Sequence, residues 1–285
     1  MNDLFQYISR RLGERILSSR PVSGGDISSA YRIETETGKY FLKVNAQSFA
    51  LEMFHAEQKG LRTIEETNTI AVPNVHLVDS LNDKAFLLMD FVESKRPDAS
   101  DFQRLGRQLA RLHRCTSGEF GFPSDNFIGS LSQSNQSHSN WPQFYWHERI
   151  FPQLRPAVAK GLLSREEVPA EERAITLFDG IFGTVAPSLL HGDLWGGNYL
   201  IAADGTPCLI DPATYYGHSM VDIAMSRLFG GFDADFYDAY HEIIPKGDHY
   251  QEQIELYQLY YLLVHLNLFG SGYYSGVSSI LRRYF

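Results

Sequence analysis

With 285 residues, 44% of them hydrophobic and 13% aromatic, the chain can bury substantial cores, and its length suits one or two folding units. A net charge of −9, from 34 acidic against 25 basic residues with no extended basic stripe, disfavours a nucleic-acid surface as the main function. Cys115 and Cys208 are too few for a disulfide framework or a Cys-based zinc site, and they suit a reducing cytoplasm.

The N-terminal stretch reads as helical, and Asp3, Arg10, Arg11, Glu14 and Arg15 interrupt any signal-like apolar run. The loop Pro21 to Ala30 follows. Its Gly24 and Gly25 would let backbone amides approach a phosphate, although the glycine spacing is incomplete and an ordinary turn is the equal alternative. Ala30 to Ile33 and Tyr40 to Val44 read as strands joined by a turn at Gly38-Lys39, with Lys43 near the end of the second.

A helix is expected from about Gln47 to Ile64, with Met53, Glu57, Leu61 and Ile64 on one face. Glu57 therefore falls within the apolar stripe and needs a cationic partner, because an unpaired buried carboxylate is costly. Lys43 is the economical choice; Glu52 is the rival carboxylate. The strand Ala85 to Glu93 then runs into a polar stretch ending at Pro97. Backbone groups of Asp90, Phe91 and Val92 are placed there to meet an adenine ring at a hinge.

Phe102, Leu105, Leu109 and Leu112 predict an amphipathic helix over Asp101 to His113, with Ser100 as its N-cap. Thr116 to Asn140 is loop-rich, and the wholly polar run Ser132 to Asn140 reads as solvated. Asn140-Trp141-Pro142 opens a helix running to Arg155 or beyond.

The densest signal is Leu189-Leu190-His191-Gly192-Asp193-Leu194-Trp195-Gly196-Gly197-Asn198, followed by Cys208-Leu209-Ile210-Asp211-Pro212. Asp204-Gly205 between two apolar runs predicts a hairpin that holds Asn198 and Asp211 close together. The His-x-Asp-x-x-x-x-Asn spacing resembles the catalytic loop of protein kinases, in which the Asp accepts the acceptor hydroxyl's proton and the Asn holds magnesium. Asp211 then stands at the second metal-binding position, and Lys43 at the phosphate-binding one. His191 reads as a loop brace, since no Cys or His partner stands at zinc spacing. Asp222 heads an apolar helix and is expected to cap it or to brace a neighbouring loop through backbone amides. Leu256 to Phe269 is short for a membrane span and contains Gln258, His265 and Asn267, so it reads as a core helix.

His191 to Asn198 with Trp195, Asp211-Pro212-Ala213, Asp222-Ile223-Ala224, Tyr257-Gln258-Leu259-Tyr260 and the segment Phe120-Gly121 through Asp125-Asn126-Phe127-Ile128-Gly129 to Glu148-Arg149 together resemble the fructosamine kinase (ketosamine 3-kinase) family over nearly the whole chain. The expected fold is α+β and protein-kinase-like: a nucleotide-binding lobe at 1–89 with an antiparallel sheet plus helix, a hinge at 90–97, and a larger, mainly helical catalytic lobe at 98–285. The resemblance implies ATP- and Mg2+-dependent phosphorylation of the sugar 3-hydroxyl of ketosamines, either small molecules or glycated protein lysines. The product in this family releases the amine, which amounts to deglycation repair. By the same resemblance Asp193 is the base, Asn198 and Asp211 the magnesium ligands, and Lys43 the phosphate ligand. Trp195 either stacks on the sugar-amine or packs its own loop.

The loop at Ser23 to Asp26 lacks the cysteine that permits redox-linked dimerisation in some members. No stable protein, nucleic-acid or membrane partner is expected, and the expected location is cytoplasmic. Two alternatives stay open: a small-molecule kinase of aminoglycoside or choline type, and a nucleotide-binding pseudokinase scaffold.

Overall fold

The computed structural model describes residues 1–22 and 28–285. In chain order these form α1 (Asn2–Leu12), β1 (Ile16–Val22), β2 (Ser29–Thr35), β3 (Lys39–Asn45), α2 (Ala50–Glu66), β4 (Val75–Leu81), β5 (Lys84–Asp90) and α3 (Ala99–Leu112). There follow β6 (Asn126–Ile128), β7 (Leu131–Gln133), α4 (Trp141–Phe144), a π-helical stretch (Tyr145–Ile150), α5 (Phe151–Ala159), α6 (Glu171–Phe182), β8 (Ser188–Leu190), β9 (Tyr199–Ile201) and β10 (Pro207–Leu209). The chain ends with β11 (Tyr215–Gly217), α7 (Met220–Leu228), α8 (Ala234–His241), α9 (Tyr250–Phe269) and α10 (Tyr274–Tyr284). Two compact units result: Met1–Pro97 with Tyr199–Asp211, and Asp98–Asn198 with Pro212–Phe285. Among the described residues, no helix is long and apolar enough to cross a membrane.

The first unit is built on an antiparallel sheet in the order β1-β2-β3-β5-β4. Successive side chains of a strand point to opposite faces. Tyr40, Leu42 and Val44 of β3, with Phe86 and Leu88 of β5, accordingly pack against Leu4 and Ile8 of α1. Phe41 of β3, with Ala85, Leu87 and Met89 of β5, meets Ala50 and Phe54 of α2. Both faces are covered, so the central strands read as nearly unbroken apolar runs, as doubly buried strands do. Lys43 shares the parity of Phe41 and therefore faces α2. The segment after β5 is tied to the hairpin of β9 and β10: Lys95 N–H donates to Ile201 O at 2.9 Å and Ala203 N–H to Glu93 O at 2.8 Å.

The second unit is mainly helical. α3 begins two residues ahead of the expected start, and its N-cap is Asp98 rather than Ser100: the Asp98 carboxylate accepts from the amides of Ser100 and Asp101, while Asp101 reaches back to Asp98 N–H. A carboxylate fits this capping box better than a serine hydroxyl, because it also complements the positive end of the helix. α3 crosses α8 closely at Gly106, where any Cβ would strike the Phe236 carbonyl. The expected helix from Trp141 runs on to Ala159, interrupted by the π-helical stretch. The polar run 132–140 is not solvated throughout, since Gln133 and Asn135 are buried. Gln133 Nε2 donates to Asn126 Oδ1 at 2.7 Å, and Asn126 Nδ2 to Thr214 O at 2.8 Å. Arg149 Nη2 meets Asn135 Oδ1 at 2.7 Å while its guanidinium stands 3.9 Å over the Tyr215 ring. Polar side chains are tolerated here because their partners are buried with them.

α9 is a core helix, with Tyr257, Tyr260 and Tyr261 buried. Tyr257 Oη joins Trp141 Nε1 at 2.8 Å and His218 Nδ1 at 2.6 Å. Burial beneath these rings pushes the His218 pKa down to about 3, although part of the residue's edge reaches solvent. The unfolded chain takes up that proton near pH ~6.5, so between there and the folded value the unfolded state binds more protons, and stability falls as the pH drops. The expected contribution is at most ~1.4 kcal/mol per pH unit across this window. Chemical denaturation at stepped pH checks it: His218→Gln shows a shallower loss of stability from pH ~6.5 downward, and identical slopes for the two proteins would remove His218 as a source.

Candidate active site

In the first unit, Lys43 Nζ donates to Glu57 Oε1 at 2.7 Å and also pairs with Asp211 Oδ1. The strand parity of Lys43 and the inward position of Glu57 on α2 bring the first two together, whereas the rival Glu52 is exposed. Burial alone would lower the Lys43 pKa; the Asp211 and Glu57 carboxylates overcome it and hold the ammonium above its usual value. Glu57 is pushed upward by burial and by the like charge of Asp211, against the pull of Lys43. One cation thus serves two carboxylates, an arrangement that fixes the amine in place and keeps it charged.

Asp211 lies two residues beyond β10 and adopts a left-handed backbone with φ of 55°. Among the described residues, the other non-glycine positive φ values belong to Asn68 and Asn82, a residue type that visits this region readily. Asp shares with Asn a tolerance of this region, and the proline that follows Asp211 restricts its backbone further.

Of the expected hinge groups, two amides are already engaged. Asp90 N–H donates to Asn74 O at 2.9 Å and Phe91 N–H to Lys39 O at 3.2 Å. The Asp90 side chain accepts from Asn74 Nδ2 at 2.7 Å and meets His76 Nε2 at 2.6 Å. Burial would raise this carboxyl's pKa, but those hydrogen bonds hold it low. Val92 follows in the strand-free stretch beyond β5. Gly24 and Gly25 lie outside the described residues.

In the second unit, the loop 191–198 is held from three sides. Asp222 does not cap its own helix; it braces the loop, Oδ2 accepting from His191 N–H at 2.7 Å and Oδ1 from Gly192 N–H at 2.8 Å. His113 Nε2 meets Asp222 Oδ2 at 3.1 Å, and its Nδ1 meets Tyr240 Oη at 2.8 Å. Burial would raise the Asp222 pKa; His113 and the loop amides keep it below the ordinary value. From α9, Tyr261 Oη donates to Gly192 O at 2.7 Å. From the segment after Asp211, Ala213 N–H donates to His191 O at 2.9 Å. Gly192 has φ of 86°, and a Cβ there would strike the Ala213 carbonyl, so glycine is required twice over. His191 is fully buried and its Nδ1 accepts from Asp193 N–H at 3.2 Å, which makes it a brace.

This scaffold presents Asp193, Trp195 and Asn198. Asn198 Nδ2 donates to Asp193 O at 2.9 Å and to Asp193 Oδ2 at 3.2 Å. Both amide hydrogens are thereby turned toward Asp193, and the Asn198 carbonyl oxygen is turned away from it. Asn198 Oδ1 and, in the first unit, the Asp211 carboxylate are each hard oxygen donors of the kind magnesium selects. The Trp195 indole is 41% exposed and lies over Gly197, where a side chain would strike the ring. Sequence reasoning missed His113, Tyr240 and Tyr261 as supports of this loop. The buried tyrosines of α9 carried only a packing signal; a histidine at the end of the amphipathic α3 was the available hint.

The fructosamine kinase family model matches residues 1–285. A protein of Enterococcus faecium named "Probable ketoamine kinase" is 38% identical over 269 residues, covering 93% of this chain and 94% of its own. The "Protein-ribulosamine 3-kinase, chloroplastic" of Arabidopsis thaliana is 38% identical, over 92% of this chain and 81% of its own. A crystal structure from Haemophilus somnus, assigned to the fructosamine-3-kinases, superposes with a TM-score of 0.88 at 28% identity, covering 99% and 96% of the two chains. An aminoglycoside phosphotransferase shares the fold alone, with a TM-score of 0.65 at 14% identity over 99% and 98%. The fold is therefore the protein-kinase-like, aminoglycoside-phosphotransferase-like α+β fold, and the chain belongs to the fructosamine kinase family, phosphotransferases with an alcohol group as acceptor.

Proposed function

We propose that this protein transfers the γ-phosphoryl group of ATP to the sugar 3-hydroxyl of a ketosamine. The observation that carries the acceptor class is Trp195, a half-exposed indole two residues beyond Asp193, suited to stack on a sugar-amine. Asp193 takes the proton of the attacking hydroxyl. A bond forms between the sugar oxygen and the γ-phosphorus as the bond from that phosphorus to the β–γ bridging oxygen breaks, and ADP leaves. Lys43 orients the phosphates, itself aligned by Glu57, and Val92 meets the adenine. Asn198 and Asp211 would hold magnesium, which when bound supplies charge neutralisation at the phosphate oxygens. Release of the amine from the phosphorylated product would make the activity a deglycation repair. The free thiols Cys115 and Cys208 fit a reducing cytoplasm as its setting.

A panel of ribulosamine, erythrulosamine, fructosamine and aminoglycoside acceptors, incubated with ATP and magnesium and followed by phosphate transfer, tests the reading. Transfer to at least one ketosamine is expected. Transfer to aminoglycosides alone overturns the acceptor class, and nucleotide binding without transfer to any acceptor favours a scaffold. Asp211→Ala is expected to weaken magnesium-dependent ATP binding by roughly tenfold or more, in the range seen when groups around a metal are removed. Unchanged affinity in a titration with and without magnesium would remove Asp211 as a ligand.

A further inference from the structure

The segment around Asn126 and the stretch Tyr257 to Tyr260 both carry the family resemblance, yet neither has a part in the proposed transfer step. Their side chains meet at Gln133. β6 and β7 form a hairpin that sets Asn126 opposite Gln133 and pairs with no further strand among the described residues. A two-stranded hairpin is marginal on its own. Even so, this one turns two amide side chains inward, with Asn126 6% exposed and Gln133 2%. An apolar pair of the same shape would fill the space without needing any hydrogen-bond partner. Packing therefore does not account for the two amides.

What the amides add is direction. Tyr260 Oη donates to Gln133 Oε1 at 2.5 Å. With its oxygen so occupied, Gln133 turns Nε2 toward Asn126 Oδ1 at 2.7 Å and Ala213 O at 3.4 Å. Asn126 in turn donates from Nδ2 to Thr214 O at 2.8 Å. Every donor in this relay points the same way, and the relay ends on two consecutive carbonyls. Those carbonyls lie where β11 passes into contact with the loop 191–198: Tyr215 pairs with Leu190, and Ala213 N–H donates to His191 O at 2.9 Å. The Ala213 carbonyl is also the atom that a Cβ on Gly192 would strike. The next residue of α9, Tyr261, holds Gly192 O at 2.7 Å. Burial raises the pKa of the Tyr260 and Tyr261 phenols, and the charge of Asp193 raises both further, so the two rings stand within the field of that carboxylate.

We infer that Asn126, Gln133 and Tyr260 are positioning residues for phosphoryl transfer: their buried relay fixes the peptide between Ala213 and Thr214 and, through Ala213 N–H on His191 O, the start of the loop that carries Asp193. The inference rests on the reading of Asp193 as the base. Asp222 fixes the donors of the loop start, the amides of His191 and Gly192, and the relay fixes its acceptor, the His191 carbonyl. A turn of the 213–214 peptide would carry His191 O with it, and a misplacement of ~1 Å at a reacting group costs about a hundredfold in rate.

The test separates position from stability by comparing Gln133→Met with the triple variant Asn126→Leu/Gln133→Met/Tyr260→Phe. The single variant strands Tyr260 Oη and Asn126 Oδ1 without partners; the triple variant makes the whole relay apolar and should melt above the single one. Turnover should not recover with it. On the best acceptor of the panel, the triple variant is expected to keep about a tenth of the wild-type kcat, with KM for ATP within about twofold. Hydrogen exchange of the Ala213 amide should be about tenfold faster than in wild type. In an Asp193→Asn background the triple substitution should lower kcat by less than about twofold, since the relay acts through Asp193. A kcat that recovers together with the melting temperature, unchanged exchange at Ala213, or a full further loss in the Asp193→Asn background each overturns the positioning role alone. Wild-type turnover in Asp193→Asn itself, or wild-type enzyme inactive on every acceptor, overturns the base reading and the positioning role with it.

Discussion

Asp193→Asn is expected to lower turnover by about a thousandfold, within the range that a positioned general base supplies, while ATP affinity stays within about twofold. The reason lies in the hydrogen bonds around the residue. Asn198 Nδ2 donates to Asp193 Oδ2 at 3.2 Å, so an amide placed at 193 would turn its oxygen toward that donor. Its nitrogen would then face the acceptor hydroxyl, offering hydrogens where a proton acceptor is required. The backbone contact from Asp193 N–H to His191 Nδ1, at 3.2 Å, does not involve the side chain and survives the substitution. Size is conserved and the loop's supports are untouched, so a loss of turnover would report on proton transfer rather than on folding. Steady-state kinetics paired with calorimetric titration of ATP separates the two quantities. Wild-type turnover in the variant removes Asp193 from the base position; a matching loss of ATP affinity assigns it to nucleotide binding instead.

What was legible in the sequence was what local periodicity encodes. Lys43 faces α2 because it shares strand parity with Phe41, and Glu57 falls in the apolar stripe of a regular helix, so two short-range rules bring together residues 14 positions apart. The hairpin around Asp204-Gly205 followed from turn chemistry in the same way, with Pro207 opposite Ile201 and Leu209 opposite Tyr199. Illegible features had partners far away in the chain. Gln133 and Asn135 look like solvated loop until Asn126, Ala213, Tyr260 and Arg149 are brought around them. The amides of Asp90 and Phe91 are engaged because sheet register sets them against Asn74 and Lys39, and register is a property of several strands at once. The N-cap of α3 was ambiguous for a different reason. Asp98, Ser100 and Asp101 are all capping residue types within four positions, and only backbone geometry chooses among them.

Asp222 carries the largest structural expectation, because its carboxylate serves three buried donors at once. Asp222→Ala leaves His191 N–H, Gly192 N–H and His113 Nε2 without that acceptor in a region shielded from water. Each buried donor left unsatisfied costs ~1–3 kcal/mol, so a total loss of more than ~3 kcal/mol is expected. For a unit of this size that lowers the melting temperature by roughly 6–12 °C. Turnover should fall by about tenfold or more in whatever fraction remains folded, since the amides being released directly precede Asp193 and a small displacement of the reacting group is heavily penalised. Asp222→Asn distinguishes lost packing from lost charge. It preserves volume and one acceptor oxygen, but places an NH2 against a backbone N–H, since Gly192 and His191 approach opposite oxygens of the carboxylate. A merely space-filling role predicts near-wild-type behaviour for Asn and a defect for Ala; the bracing role predicts defects in both. His113→Gln provides the intermediate case, removing the ring that links Asp222 to Tyr240 while leaving both loop amides paired, and should cost stability more than turnover. Thermal melting and kcat measured on the three variants decide it: Asp222→Asn with unaltered melting and turnover would mean that Tyr261 and Ala213 suffice to hold the loop.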